Sequence, residues 1–195
     1  MPISKQELSW FLHYSHTFVE CGSAGGQGIQ AAIEAGYSEI YSVDINQYCV
    51  DECKTRFKNI THVSIACEDC GQWLETTLNQ LNKPCAIYMD ANGWAQETES
   101  PYHASIRALK RHGRKDHIVV VDDMNHNNSS RAEMMRDVRR SLSEGSDQDI
   151  TKQLVSVNPD YYLYLEDSHS VDFMHTYPSW ILIGSPVELP GLNEL

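Results

Sequence analysis

A glycine-rich segment directly follows the first short apolar run of the chain, and this feature constrains the fold most. Residues 17–21 (TFVEC) have the composition of a buried strand and continue without a break into GSAGGQG. A helix-forming stretch at 29–35 follows, and Gly36 ends it. Glycines between a strand and a helix let the backbone turn sharply and approach a ligand closely. The free N–H groups at the start of the helix would then point at that ligand.

Strands and helices alternate along most of the remaining chain. Runs such as CAIYM and HIVVV are continuously apolar, which is typical of strands buried on both faces of a parallel sheet. The two last strands have no crossover helix between them, so we expect them to pair antiparallel. Further strands are predicted at 38–45, 63–66, 85–89, 117–121, 161–165 and 180–183, and helices at 5–13, 47–57, 73–81, 102–112 and 131–142.

This order predicts an α/β fold with a doubly wound, Rossmann-like sheet of seven strands. The sheet is expected to be mostly parallel with an antiparallel closing strand and to carry helices on both faces. We expect residues 1–195 to form one domain, with a core at 17–184 and a loosely held tail at 185–195. Ligands of such sheets bind at the carboxyl ends of the strands.

Charge and composition argue against several classes of protein. Lys and Arg total 15 and Asp and Glu total 27, which gives a formal charge of −12 that repels nucleic acid and anionic membranes. No apolar run approaches the roughly 20 residues of a membrane helix, and the N-terminus lacks the apolar stretch of a signal peptide. We therefore expect a cytoplasmic protein with reduced cysteines and a small-molecule partner.

Two acidic residues accompany the glycine segment. Asp44 ends the second strand, where a carboxylate can accept hydrogen bonds from both ribose hydroxyls of a nucleoside cofactor. Glu20 precedes the first glycine, and a carboxylate there can bind a cationic amino group, directly or through water, but would repel a pyrophosphate. These residues favour S-adenosylmethionine over NAD. The glycine spacing also fits short-chain dehydrogenases, but no tyrosine here has the Lys four residues later that those enzymes need. A purely structural glycine turn stays open.

Residues 17–184 resemble class I S-adenosylmethionine-dependent methyltransferases. FVECGSAGGQGIQAAIEAGYSEIYSVDI is similar to their first motif through the end of strand two, and CAIYMDANGW and HIVVVDDM are similar to strands four and five of the macrocin O-methyltransferase and FkbM-like branch. Relatives of that branch often have a histidine where this chain has Asn92. The resemblance implies a cofactor site formed by Glu20, Gly22, Ser23, Gly25, Gly26, Asp44, Ile45, Asp69 and Asp90.

Within that site the resemblance gives some of these residues separate roles. Glu20 and Gly22 would face the methionine end of the cofactor, and Asp44 would bind its ribose. Asp69 would bind the amino group of the adenine. An equally open interpretation is that Asp69 is an exposed acid that caps the following helix.

Asp90, Asp122 and Asp123 end two adjacent predicted strands. Their carboxylates are expected to converge, and oxygen ligands of this kind suit Mg²⁺. In metal-dependent O-methyltransferases, which the chain resembles here, acids at these strand ends hold Mg²⁺ that orients a substrate hydroxyl. Asp90 and Asp122 are therefore the candidate catalytic residues, as metal ligands or bases. The alternative is that Asp122 and Asp123 hydrogen-bond the loop backbone.

The sequence as a whole predicts an S-adenosylmethionine-dependent O-methyltransferase that acts on a small-molecule or sugar-like acceptor, with Mg²⁺ as a candidate second cofactor. Residues 91–101 and 125–130 are expected to line the acceptor pocket. Two other classes stay open: a nucleoside-binding protein without catalytic activity, and an NAD(P)-linked oxidoreductase. The chain lacks the Asn/Asp-Pro-Pro-aromatic motif of the enzymes that methylate the amino group of adenine or cytosine.

Overall fold

One mixed sheet organises the molecule. The structure is a computed structural model that describes residues 3–91, 100–124, 130–167 and 180–195. Seven strands form the sheet in the order β3-β2-β1-β4-β5-β7-β6. The strands are β1 (Thr17–Cys21), β2 (Glu39–Asp44), β3 (Val63–Cys67), β4 (Ala86–Met89), β5 (Ile118–Val121), β6 (Tyr162–Asp167) and β7 (Trp180–Ser185). β1 to β5 pair in parallel, and β7 runs antiparallel to both β5 and β6.

Helices precede, connect and follow the parallel strands. They are α1 (Lys5–Ser9), α2 (Gln27–Ala35), α3 (Gln47–Arg56), α4 (Cys70–Leu81), α5 (Pro101–Arg111), α6 (Arg131–Glu144) and α7 (Ile150–Val155). Among the helices in the described ranges, none is both long and apolar enough to cross a membrane. The predicted doubly wound α/β sheet, with its antiparallel closing strands, is confirmed.

A separate apolar core lies on each face of the sheet. On one face, α4 and α5 contribute residues such as Leu74 and Ile106, and α6 and α7 complete the layer. On the other face, Leu8 of α1 and Ile29 of α2 pack against strand residues such as Phe18. The strands are therefore covered on both sides, which explains their continuously apolar sequences.

Helix α7 and the C-terminal residues differ from the sequence prediction. Helix α7 lies beyond a polar stretch, and its turn begins where Asp149 Oδ1 accepts hydrogen bonds from the backbone N–H groups of Thr151 and Lys152. Residues 185–195, expected to be loosely held, are instead attached to β6, the strand at one border of the sheet. The backbone N–H of Leu195 donates to the Leu163 carbonyl at 2.9 Å. The unpaired backbone groups of an outer strand explain this attachment.

Candidate active site

The carboxyl ends of four parallel strands meet at one edge of the sheet. The backbone N–H of Gly22 donates to the Val43 carbonyl at 2.9 Å, and that of Asp90 donates to the Cys21 carbonyl at 2.9 Å. The N–H of Asp122 bonds the Met89 carbonyl at 3.0 Å. The strand order reverses at β1, which places these residues at the point where such sheets bind ligands.

The turn after β1 depends on glycine at Gly22. This residue has a φ of +103°, and a Cβ there would lie 2.6 Å from the carbonyl oxygen of Asp90. Any side chain would therefore push the turn away from the end of β4. Gly26, with a φ of +78°, is the N-cap of α2 and leaves the first N–H groups of the helix without a side-chain cap. The predicted glycine turn is thus a close backbone approach that opens onto a helix N-terminus.

Glu20 lies beneath this turn. Its side chain is buried, and Oε2 accepts a hydrogen bond from Ser42 Oγ at 2.5 Å. A Cβ at Gly28 would lie 1.8 Å from Oε1, so the carboxyl packs directly on the first turn of α2. Burial raises the pKa of Glu20 to about 8. In this position the carboxyl supports the turn, and its contact with an amino group of the cofactor, directly or through water, stays a prediction.

Asp44 links the glycine turn to the end of β2. Its Oδ2 accepts the backbone N–H of Ala24 at 2.8 Å, and its Oδ1 accepts that of Asn46 at 2.8 Å. The residue is half-buried, and the neighbouring Ile45 side chain is 73% exposed. Tyr48, on the first turn of α3, is also exposed. A fixed carboxylate beside exposed apolar groups suits a ribose joined to a flat base.

Helix α3 holds the same turn from its outer side, which the sequence analysis did not anticipate. Arg56 Nη1 donates to the Gly25 carbonyl at 2.9 Å, and Cys53 Sγ contacts the Ala24 carbonyl at 3.5 Å. The guanidinium also lies over the ring of Phe57, 5.0 Å from its centroid. Nothing in the spacing of a single surface arginine on α3 would have indicated this contact.

Ser23 and Asp69 complete the set of predicted cofactor residues. Ser23 is buried, and its Oγ lies 3.5 Å from Asp44 Oδ2. Asp69 is exposed, and its Oδ1 accepts the N–H groups of Gly71 and Gln72 at 3.0 and 3.1 Å. This is the helix-capping geometry that the sequence left open for Asp69.

Two carboxyls, Asp90 and Asp122, converge on a phenol that the sequence analysis did not single out. The hydroxyl of Tyr88 lies 2.5 Å from Asp122 Oδ2 and 3.2 Å from Asp90 Oδ2. Burial, and then the charge of Asp122, raise the pKa of Asp90 to about 8. Burial likewise raises the pKa of Asp122. The alternation of side chains along a strand was the available signal, because it places Tyr88 and Asp90 on the same face.

Asp123 does not complete a metal site with this pair. Its backbone N–H donates to Asp122 Oδ1 at 2.7 Å, and its own φ of +54° belongs to a left-handed turn. Within the described part of the chain, no group of three His, Cys, Asp or Glu residues could hold a metal ion. Asp122 is buried and bonded to a phenol and a backbone amide, and the described residues therefore do not support the predicted magnesium site.

The predicted acceptor pocket is described only in part. Residues 92–99, which include Asn92, and residues 125–129 lie outside the described residues. Among the described residues, Tyr102 at the start of α5 lies near Asp90 and Asp122. Burial, and then the charge of Asp90, raise its pKa.

Solved structures with a similar fold include methyltransferases. The N-methyltransferase NodS from Bradyrhizobium japonicum WM9 matches with a TM-score of 0.55, 13% identity and coverage of 93% of both chains. A Klebsiella pneumoniae protein assigned as an O-methyltransferase matches with a TM-score of 0.56, 13% identity and coverage of 92% of this chain and 80% of its own. Spermidine synthase from Thermotoga maritima gives 0.55 and 11%, covering 92% of this chain and 57% of its own.

By sequence, no protein family matches the chain. No curated protein matches it either. At these low sequence identities, structural similarity shows the fold alone. The reaction therefore has to be argued from the residues of the site. The chain has the fold of the class I methyltransferases, and the structures it resembles include enzymes of that class.

Proposed function

We propose that this protein is an S-adenosylmethionine-dependent methyltransferase. The observation that carries the proposal is the Asp44 carboxylate, fixed between the glycine turn and the end of β2 and flanked by exposed Ile45. The ribose would bind at Asp44, and Gly22 would let the methionine part pass close to the backbone. Asp69 caps α4 in the structure, and its contact with the amino group of the adenine is also part of this proposal.

The acceptor is proposed to be a hydroxyl of a small-molecule or sugar-like compound. S-adenosylmethionine supplies a methyl group already activated on a sulfonium, so the protein mainly has to align the two partners and exclude water. Asp90 is half-exposed beside the glycine turn and can receive the proton of an acceptor hydroxyl. The resemblance of the strand-end motifs to the macrocin and FkbM-like branch supports an oxygen acceptor.

Titration calorimetry tests the cofactor directly. We expect S-adenosylhomocysteine to bind and NAD to give no heat, with the same result in the presence and absence of Mg²⁺. Binding of NAD alone would replace the proposal with an oxidoreductase. Binding of neither would indicate a structural glycine turn.

A matched pair of variants locates the site. Asp44→Ala removes the ribose acceptor and should weaken S-adenosylhomocysteine binding roughly tenfold or more, as expected for loss of charge-assisted hydrogen bonds. Asp51→Ala, an exposed acid on α3 that hydrogen-bonds Gln47, is the control and should leave the affinity unchanged. Equal affinities for the two variants would contradict the placement at Asp44.

A further inference from the structure

We propose that two copies of this chain form a symmetric dimer in which their β3 strands pair antiparallel around Ile65, so that one sheet continues into the other. The proposal follows from the direction of the backbone groups of β3 and from the charges on either side of the strand. It does not depend on the proposed function, because neither a cofactor nor an acceptor takes part in the pairing.

The two borders of the sheet are covered differently. The sheet begins at β3 and ends at β6, and Glu194 and Leu195 attach to β6 through a β-bridge and a backbone hydrogen bond. Among the residues that the structure describes, β2 is the strand that pairs with β3, and the outer side of β3 is uncovered. Native proteins usually protect an outer strand with proline, with charged side chains or with a covering segment. Residues 63–67 (VSIAC) contain neither proline nor a charged residue.

Alternate residues of β3 direct their backbone groups away from β2. The His62 carbonyl accepts a hydrogen bond from β2 at 2.9 Å, and the N–H of Glu68 donates to β2 at 3.2 Å. Because backbone direction alternates along a strand, the even-numbered residues between them also face β2, and the odd-numbered ones face outward. The N–H of Val63 is used in the preceding turn. The outward groups are therefore the Val63 carbonyl and both backbone groups of Ile65 and Cys67.

A two-fold axis at Ile65 uses all three of these residues. In an antiparallel pair, residues that lie directly opposite each other can exchange N–H···O hydrogen bonds. Ile65 would exchange a pair of these bonds with its counterpart, and the N–H of each Cys67 would donate to the Val63 carbonyl of the other copy. An axis at Ala66 would form as many bonds, but it would leave the Val63 carbonyls unpaired.

The side chains that flank β3 also favour the axis at Ile65. This axis places His62 of each copy opposite Glu68 of the other, and both residues are exposed. Side chains opposite each other in an antiparallel pair have Cβ atoms about 4.5–5.5 Å apart, so the imidazole N–H can donate to the carboxylate. An axis at Ala66 would instead place Glu68 opposite Ser64. The dimer thus contains the same complementary pair twice.

Apolar side chains on the other face of β3 would be covered by the same pairing. Val63, Ile65 and Cys67 are partly exposed, and alternation along the strand places them on one face. Val63 and Ile65 already pack against the core that contains Phe57. Pairing of the two strands would continue this apolar layer across the axis, and apolar pairs between strands stabilise a sheet.

Sedimentation equilibrium of the full chain without cofactor tests the association. The formal charge of −12 on each copy opposes association at long range, so the measurement is made at about 0.15 M salt, where the Debye length is about 8 Å. We expect monomers and dimers without larger species, because the pairing uses the uncovered border of both copies. A monomer at protein concentrations up to about 1 mM, or growth beyond the dimer, would overturn the proposal.

A charge swap tests the register. His62→Glu places like charges opposite each other twice in the dimer, and the dissociation constant should rise about tenfold or more. Adding Glu68→Lys restores an opposite-charge pair and should return the dissociation constant to the wild-type value or below. Both positions are exposed, so the variants should keep the wild-type Tm.

The control for this rescue is His62→Glu combined with Glu144→Lys. Glu144 is exposed at the end of α6, and the second change alters the net charge as Glu68→Lys does. This combination should associate as weakly as His62→Glu alone. Equal rescue by the two lysine substitutions, or no effect of His62→Glu, would contradict the pairing of His62 with Glu68.

Amide hydrogen exchange identifies the paired backbone directly. The N–H groups of Ile65 and Cys67 should exchange slowly when the protein is concentrated and quickly when it is diluted. Those of Ser64 and Ala66, which face β2, should stay protected under both conditions. Fast exchange at Ile65 in a dimeric sample would assign the dimer to another surface and overturn the proposal. If the dimer forms while S-adenosylhomocysteine fails to bind, the proposed function fails and the β3 pairing stands.

Discussion

At the scale of single residues, the glycine turn depends on contacts that lie beneath it. Gly28 was predicted only as one of several glycines near a ligand, yet its position is dictated by the buried carboxyl of Glu20. The turn thus needs glycine at Gly22 for its backbone conformation and at Gly28 for space. The two glycines of this turn are therefore required for two different physical reasons.

Gly28→Ala should destabilise the protein. A methyl group 1.8 Å from Glu20 Oε1 forces the buried carboxyl away from Ser42, and overpacking of this kind costs about 1–3 kcal/mol. Urea unfolding should show the loss. Gly113→Ala, where a Cβ meets nothing within 4 Å, is the control. Equal unfolding midpoints for the two variants would show that the Glu20 carboxyl relocates at no cost.

Single residues also show how far the sequence could predict the site. Asp44 and Asp90 were identified because they end strands, and strand ends are visible in the apolar pattern. Tyr88 was missed because it lies within an apolar run, where a tyrosine is indistinguishable from an ordinary core residue. The burial of the Glu20 side chain could not be predicted, because its direction depends on Ser42 and Gly28, which belong to other elements.

At the scale of elements, the ends of strands were predicted more accurately than the ends of helices. β1 was predicted at the observed residues, because an uninterrupted apolar run is bounded by clear turn residues. α1 ends at Ser9 instead of residue 13. The residues that follow form turns, and because their apolar side chains have the spacing of a helix, the sequence pattern did not show where the helix ends. α7 was missed because its cap, Asp149, lies within a stretch that is polar enough to be a loop.

Helix α3 should contribute to ligand affinity through Arg56. Arg56→Met removes a charged hydrogen bond to the Gly25 carbonyl and leaves an apolar side chain near Phe57. We expect S-adenosylhomocysteine affinity to fall about five- to tenfold, the equivalent of roughly 1 kcal/mol for one such bond, with little change in Tm.

The control for this variant lies on the same helix. Lys54→Met removes an exposed positive charge of α3 and should leave the affinity unchanged. A loss of affinity equal to that of Arg56→Met would attribute the effect to net charge and not to the contact with the turn.

At the scale of the whole molecule, buried groups make stability depend on pH in opposite directions. The folded-state pKa of Glu20 is raised to about 8 from 4.5, so the folded protein binds the extra proton and stability falls as pH rises through this range. His117 is buried, and its pKa is lowered to about 4 from 6.5, mainly by burial and then by His112. Its contribution is lost as pH falls from 6.5 to 4.

Glu20→Gln should remove the alkaline part of this dependence. The amide can still accept from Ser42, and it cannot ionise, so Tm should fall less between about pH 6 and 8 than in the wild type. Thermal unfolding over this range checks the slope. Glu52→Gln, an exposed acid of α3, is the control. Parallel slopes in all three proteins would indicate that Glu20 is ionised in the folded state.

The attachment of residues 185–195 to β6 has a practical consequence for anyone handling the protein. Leu189 is buried, and its backbone N–H donates to Tyr164 Oη at 2.9 Å. Glu194 forms an isolated antiparallel β-bridge with Tyr164. A truncation before Leu189 would leave the outer strand open to pairing with another copy, which is a common origin of aggregation and domain swapping.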